Sequence, residues 1–220
     1  MPESLLAPAA RSLVLSTLAV AIAAAPGLAL AAWLGLTRSR WKRAFTLAAR
    51  VAMAFPTVVV GLVVYGMYSR SGPLGSLELL YTPQAIVTGE VLLAVPLVAA
   101  LGAASIRSLD ARFAETARAL RLSPFRTAVL AIREAREGVF AAICAAFARC
   151  VTELGVALLV GGNLAGSDLL HGTRTMTTAI AMETSRGDFS RGIWLGLVLV
   201  AVAAAVNITA DVLLRRGEAA

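Results

Sequence analysis

Apolar residues occur in long runs along this chain, and polar residues gather between the runs. A helix that crosses about 30 Å of hydrocarbon needs about 20 apolar residues. Stretches of roughly that length predict transmembrane helices at approximately 13–37, 51–68, 83–104, 139–162 and 192–214. The pattern therefore predicts an all-α membrane protein of about five transmembrane helices, in one domain that covers residues 1–220.

Composition also favours the lipid bilayer as the solvent of this protein. The chain is 59% hydrophobic with a mean hydropathy of +0.80, against roughly 45–50% apolar residues in soluble domains. The net charge of +7 does not indicate nucleic-acid binding, because the bases flank apolar spans instead of forming a polar module. The first run is predicted to be a retained helix, since no base precedes Arg11 and the run exceeds the apolar region of a signal peptide.

The distribution of Lys and Arg predicts the orientation in the membrane. Most of the 20 basic residues lie in three of the polar segments, at 38–50, 105–138 and 212–220. Because cytoplasmic loops carry an excess of Lys and Arg, these segments are predicted to be cytoplasmic. The N-terminus is then outside and the C-terminus inside.

No catalytic machinery is visible in the sequence. There is no Ser/His/Asp set and no metal-ligand cluster, and the single histidine, His171, is predicted to be a solvated loop residue. A GxxxxGK[ST] phosphate loop is absent, since the only lysine, Lys42, is followed by Arg43. Cys144 and Cys150 face different sides of one predicted helix, so they do not form a disulfide. We predict a non-enzyme that binds no cofactor or metal.

The segment 105–138 is predicted to form a helix, a sharp turn and a second helix. Ser123 can cap the second helix, and Pro124 suits its first position, where a missing N–H costs nothing. At about 100° per residue, one face of the first helix is apolar and contains Leu109, Phe113, Ala117 and Leu120. The charges could merely solvate a loop or contact lipid headgroups, or the apolar face could insert into a partner.

One run of this segment resembles the cytoplasmic "EAA" loop of ABC importer permeases. It reads Glu115-Thr116-Ala117-Arg118-Ala119-Leu120-Arg121-Leu122-Ser123-Pro124-Phe125-Arg126. The family pattern has Gly where this chain has Arg121, and a Leu-Pro pair where it has Arg133-Glu134. In that family the loop docks into a groove of the ATPase subunit. The resemblance therefore implies ATPase-coupling roles for Phe113, Glu115, Ala117, Leu120, Ser123, Pro124 and Phe125.

Further stretches between about residues 10 and 214 resemble the tungstate and molybdate oxyanion permeases in particular. They are Ser69-Arg70-Ser71-Gly72-Pro73-Leu74-Gly75, Thr152-Glu153-Leu154-Gly155, Gly161-Gly162-Asn163 and Thr173-Arg174-Thr175-Met176-Thr177-Thr178-Ala179-Ile180. The resemblance implies a type I importer permease of a bacterial inner membrane that moves an oxyanion, tungstate before molybdate, sulfate or another small solute. It also implies a homodimer, a cytoplasmic ATPase dimer that binds ATP and Mg²⁺, and an extracytoplasmic oxyanion-binding protein.

Two other classes of membrane protein compete with this interpretation. A secondary transporter or channel would need its own coupling-ion site or selectivity filter, usually within repeated halves, and the sequence shows neither. A structural or assembly subunit without a pathway stays open on physical grounds. Co-purification with an ATPase separates the importer from both.

Two sets of polar residues near the predicted fourth span are candidates for a functional role. Arg149 and Glu153, four positions apart on one helical face, are predicted to form an intramembrane ion pair that is either structural or part of a gate. The second set can donate hydrogen bonds to an oxyanion in the pathway, or else allow close helix packing. It comprises Gly161, Gly162, Asn163, Thr173, Arg174, Thr175, Thr177 and Thr178.

Overall fold

The computed structural model describes residues 6–37, 41–166 and 172–218, and all regular structure within them is helical. A short 3-10 turn at Gly75–Leu77 lies between the third and fourth helices. The α-helices are, in chain order, α1 Leu6–Leu36, α2 Lys42–Met53, α3 Thr57–Tyr68, α4 Pro83–Arg107, α5 Ala111–Ala119, α6 Pro124–Glu134, α7 Arg136–Val151, α8 Gly155–Gly161, α9 Met176–Ser185 and α10 Phe189–Glu218. The predicted all-α class is confirmed.

Three helices of the described chain are long and apolar enough to cross a membrane alone, at Ala7–Leu36, Pro83–Arg107 and Phe189–Thr209. Two more crossings result if α2 with α3, and α7 with α8, each count as one span. The first pair is bent by 94° and the second by 54°. Hydropathy predicts continuous helices at 51–68 and 139–162. This prediction is wrong for both, because each segment contains a break between two helices.

The two breaks have different causes. Pro56 lies between α2 and α3, and proline disfavours helical backbone at the residue before it, so α2 ends at Met53. The second break, at 152–154, contains no proline. There a side-chain oxygen of Glu153 accepts the backbone N–H of Val156, at 3.2 Å, and so caps the first turn of α8.

Helices α1 and α4 run parallel and form the centre of the bundle. Their backbones approach closely, because a Cβ added to Gly27 would lie 2.8 Å from Cβ of Val98, and one on Gly35 would lie 2.5 Å from Cγ2 of Ile106. Small residues permit this kind of contact between membrane helices. Helix α7 packs on α4 in the antiparallel sense.

The bundle has two distinct ends. The turn end contains the C-termini of α1 and α4 together with α5 and α6, where the fully buried Ala131 of α6 packs against Ala31 and Ile106. The loop end contains segment 162–175 and α9, which lies between α1 and α10. Helix α10 exposes large apolar side chains such as Trp194 and Leu197. Such a surface is stable against lipid or another apolar surface.

Candidate functional site

The turn between α5 and α6 is built by two capping side chains and one residue with left-handed backbone. Asp110 Oδ1 accepts the N–H of Arg112, at 2.8 Å, where α5 begins. Ser123 Oγ accepts the N–H of Arg126, at 3.3 Å, where α6 begins. Between the helices, Arg121 has a φ of 47°. The helix–turn–helix arrangement and the Ser123 cap agree with the sequence prediction.

The backbone at Arg121 gives a physical reason for the glycine of the family pattern. Left-handed backbone costs a residue with a Cβ about 1–2 kcal/mol, whereas glycine adopts it readily. Arg121 keeps the same turn, which is closed by a hydrogen bond from the N–H of Leu122 to the carbonyl of Ala117, at 3.1 Å. Arg133 and Glu134, which also differ from the family pattern, are exposed at the end of α6.

The apolar face predicted for α5 is only partly correct. Phe113 packs against the core cluster at the turn end, and Ala117 is 7% exposed. Leu120 does not continue this face, because α5 ends at Ala119, and its side chain is 65% exposed. Phe125 is 77% exposed. The surface that a partner can reach, here called the coupling surface, consists of Glu115, Leu120, Ser123, Pro124 and Phe125.

The threonines proposed for a pathway are all buried at the loop end in this conformation, with at most 8% exposure: Thr173, Thr175, Thr177 and Thr178. The Thr177 hydroxyl donates to the carbonyl of Glu153 at 2.7 Å. Thr175 and Thr178 form a reciprocal capping box at the start of α9, and Thr173 donates to the carbonyl of Gly161. These donors are therefore engaged within the chain, which is the arrangement expected from the packing alternative.

A tight turn positions Arg174 at the same end. Arg174 Nε donates to Asn163 Oδ1 at 3.2 Å. Asn163 and Gly162 have φ values of 54° and 68°, which asparagine and glycine tolerate better than other residues. Gly161 packs against Ile86 of α4, where a Cβ would have no room. Residues 161–163 and 173–178 are the two predicted parts of this loop. The contact of Arg174 with Asn163 brings these two parts together.

The predicted ion pair of Arg149 and Glu153 is wrong for this structure. Helix α7 ends at Val151, so the four-residue spacing no longer places both side chains on one helical face. Arg149 is exposed, whereas Glu153 is 4% exposed and accepts from the N–H of Val156. No ion pair joins the two within the described chain.

Sequence reasoning missed a buried carboxyl group in the central helix. Glu90 of α4 is 2% exposed. Its Oε1 accepts a hydrogen bond from Ser16 Oγ of α1 at 3.5 Å, and its Oε2 has no hydrogen-bond partner among the described residues. An ionisable residue inside a membrane span is in itself a sign of a specific role. That signal was present, because Glu90 is the only charged residue in the predicted span 83–104.

Sequence reasoning also missed the connection between α1 and the loop end. Arg11 is completely buried, and its Nη1 donates to the carbonyl of Arg174 at 2.9 Å. Next to it, Ser12 Oγ accepts the N–H of Met176 at 2.8 Å, at the start of α9. No local pattern could reveal these contacts, because their partners lie 163 and 164 positions further along the chain.

A helical bundle with an apolar outer face and polar contacts buried between its helices has the features of a membrane protein. The family model described as binding-protein-dependent transport system inner membrane component matches residues 27–218. The chain belongs to this family. Proteins of this family are transporter components and not catalysts.

Similarity to individual relatives extends over most of the chain. A probable anion ABC transporter permease protein of Haloferax volcanii is 41% identical over 196 residues, which are 89% of this chain and 84% of the relative. The tungstate uptake system permease protein TupB of Peptoclostridium acidaminophilum is 37% identical over 196 residues, with the same two coverages of 89% and 84%. The protein of that name in Campylobacter jejuni is 39% identical over 166 residues, covering 76% of this chain and 67% of the relative.

Solved structures show the same fold at low sequence identity. A chain of the MetNI methionine ABC transporter, in inward-facing conformations, superposes with a TM-score of 0.75 and 14% identity, covering 94% of this chain and 92% of that chain. An amino acid ABC transporter gives a TM-score of 0.65 and 19% identity, covering 95% and 92%. The predicted resemblance to type I ABC importer permeases is confirmed at the level of the fold.

Proposed function

We propose that this chain is the permease subunit of an ATP-driven importer that moves an oxyanion, tungstate first among the candidates, across the cytoplasmic membrane by alternating access. The observation that carries the proposal is the 37–41% identity to an anion permease and two tungstate permeases. Two relatives described as molybdenum permeases are 28% and 25% identical. Molybdate is therefore the second candidate, before sulfate or another small solute.

The proposed complex contains two copies of this chain, a cytoplasmic ATPase dimer and an extracytoplasmic oxyanion-binding protein. The sequence has no GxxxxGK[ST] loop, so ATP and Mg²⁺ bind to the ATPase and this chain holds no cofactor. The coupling surface supports an ATPase contact, because Leu120 and Phe125 expose apolar side chains outside the long helices. The apolar face of α10, with Trp194 and Leu197, is available for lipid or for the second copy.

The proposed orientation puts the turn end in the cytoplasm and the N-terminus outside. The turn end carries many bases, including Arg107, Arg112, Arg118, Arg121, Arg126, Arg133 and Arg136. Such an excess is typical of cytoplasmic loops. The same orientation makes the coupling surface accessible to a cytoplasmic ATPase and the loop end accessible to the binding protein.

Transport by the reconstituted complex tests the function. The permease, its ATPase and its binding protein are assembled in liposomes, and the uptake of tungstate, molybdate and sulfate is measured with ATP supplied on the ATPase side. Tungstate uptake that needs both ATP and the binding protein is the expected result. Uptake without the ATPase would instead indicate a secondary transporter or channel. A binding protein that prefers an amino acid or a sugar over all three anions would contradict the oxyanion assignment.

A further inference from the structure

Helix α2 has the features of a helix that lies on a membrane surface. It meets α3 at 94°, so it runs along the bilayer plane if α3 crosses the bilayer. Phe45 and Leu47 of α2 are 51% and 62% exposed, and Trp33 of α1 touches Phe45 edge-on with ring centroids 5.1 Å apart. Exposed aromatic and aliphatic side chains beside Lys and Arg are typical of interfacial helices.

A small pocket lies between this helix, α1 and α4 at the turn end. Its volume is about 160 Å³. Three of its lining residues are polar, namely Thr46, Arg50 and Arg107, and none is acidic. Both arginines are exposed, and no hydrogen bond or ion pair joins either guanidinium to another residue that the structure describes. The remaining walls are apolar and include Leu34, Met53 and Leu101.

We propose that this pocket binds the phosphate of an anionic phospholipid from the adjacent membrane leaflet. Arg50 and Arg107 supply planar guanidinium donors that match phosphate oxygens, and the hydroxyl of Thr46 can add a further donor. Basic pockets between membrane helices are typical binding sites of anionic headgroups. A free oxyanion shares the phosphate's chemistry, but the apolar walls and the neighbouring surface helix favour a ligand with a glycerol and acyl portion. The site is independent of the transported solute.

Lipid competition on the intact importer tests the proposal. The complex of permease and ATPase is purified, and native mass spectrometry measures how strongly it retains phosphatidylglycerol relative to phosphatidylcholine. Arg50→Gln and Arg107→Gln should each lower this preference about fivefold, because each removes charge-assisted hydrogen bonds to the phosphate. The double variant should lower it about 25-fold if the two contributions add. An unchanged preference in the double variant overturns the proposal.

Two matched arginine variants distinguish binding in the pocket from general electrostatic attraction between the lipid and the basic surface. Arg43→Gln removes an exposed base of α2 that does not line the pocket, and Arg70→Gln removes one outside α2. Both should keep the lipid preference of the unmodified protein. If Arg43→Gln loses as much as Arg50→Gln, the surface charge of α2 explains the binding and no pocket is needed. Displacement of phosphatidylglycerol by millimolar tungstate or inorganic phosphate would assign the pocket to a free oxyanion and also overturn the proposal. Unchanged melting temperatures establish that the variants are folded.

Discussion

At the scale of single residues, Glu90 is an ionisable side chain buried within a candidate span. It is 2% exposed, with one oxygen lacking a partner among the described residues. A buried charge without compensation is costly. We expect Glu90→Gln, which keeps the shape and removes the charge, to leave the melting temperature of the purified permease unchanged or raised. Glu90→Ala should lower it, because it leaves a cavity.

The comparison of the two Glu90 variants also tests whether a positively charged partner stabilises the Glu90 carboxylate. If Glu90→Gln lowers the melting temperature as much as Glu90→Ala, the carboxylate charge itself stabilises the fold. Uptake measured on the same samples then reports whether the group also serves transport. If Glu90→Gln has the melting temperature of the unmodified permease but no uptake, Glu90 has a role in the pathway.

The left-handed backbone of Arg121 leads to a second prediction. Arg121→Gly relieves a strain of about 1–2 kcal/mol and adds about 0.5–1 kcal/mol of unfolded-state entropy. The net gain in stability should be about 0.5–1 kcal/mol, seen as a higher denaturation midpoint. Arg121→Ala is the control, because it removes the charge and keeps the Cβ. An equal gain in both variants would attribute the effect to charge and not to the φ of 47°.

At the scale of elements, the turn between α5 and α6 gives a direct test of docking. Phe125 is 77% exposed, so Phe125→Asp should leave the permease folded. If the coupling surface inserts into the ATPase, the new carboxylate is desolvated without a partner. Binding should then weaken at least tenfold, with loss of ATPase co-purification and of uptake at matched membrane expression.

Phe189 supplies the matched control for this substitution. It is 63% exposed at the start of α10, far along the chain from the turn, and Phe189→Asp should retain the ATPase. Ala117→Asp is a poorer test, because Ala117 is 7% exposed and an acid there would disturb the turn itself. Retention of ATPase and uptake by Phe125→Asp would contradict the docking assignment.

The helices differ in how far the sequence predicts them. Hydropathy suffices for α1, α4 and α10, because their apolar runs are long and unbroken. Helix α2 covers most of the segment 38–50 that is predicted to be cytoplasmic and the first residues of the predicted span 51–68, and Pro56 marks the boundary before α3. The break at 152–154 contains no proline, and the capping bond of Glu153 that begins α8 is seen only in the structure.

At the scale of the whole molecule, the proposed orientation predicts which surface is accessible from outside the cell. Ser108 is exposed immediately after α4, at the turn end. In a protein with Cys144 and Cys150 replaced by alanine, Ser108→Cys should resist an impermeant thiol reagent in intact cells and react after permeabilisation. Ser76→Cys, in an exposed position between α3 and α4, should react in intact cells. The reverse labelling pattern would show that the proposed topology is inverted.

The candidate sites were predictable only where their residues are neighbours in sequence. The cap of Ser123 and the turn after α5 depend on local backbone geometry, so a single sequence was sufficient. The contact of Ser16 with Glu90 joins α1 to α4, and the contact of Thr177 with Glu153 joins α9 to the break between α7 and α8. Such contacts depend on how helices pack, and no periodic pattern records them. The failed ion pair of Arg149 has the same origin, because it assumed an unbroken helix.

The buried arginine of α1 has a consequence for the order in which the protein is made. Arg11 donates to the carbonyl of Arg174, which is synthesised 163 positions later. At about 5–20 residues per second, roughly 8–30 s pass before this acceptor leaves the ribosome. During that interval the guanidinium can stay hydrated by extending toward the membrane surface. Helix α1 therefore cannot complete its contact through Arg11 until the start of α9 has been made.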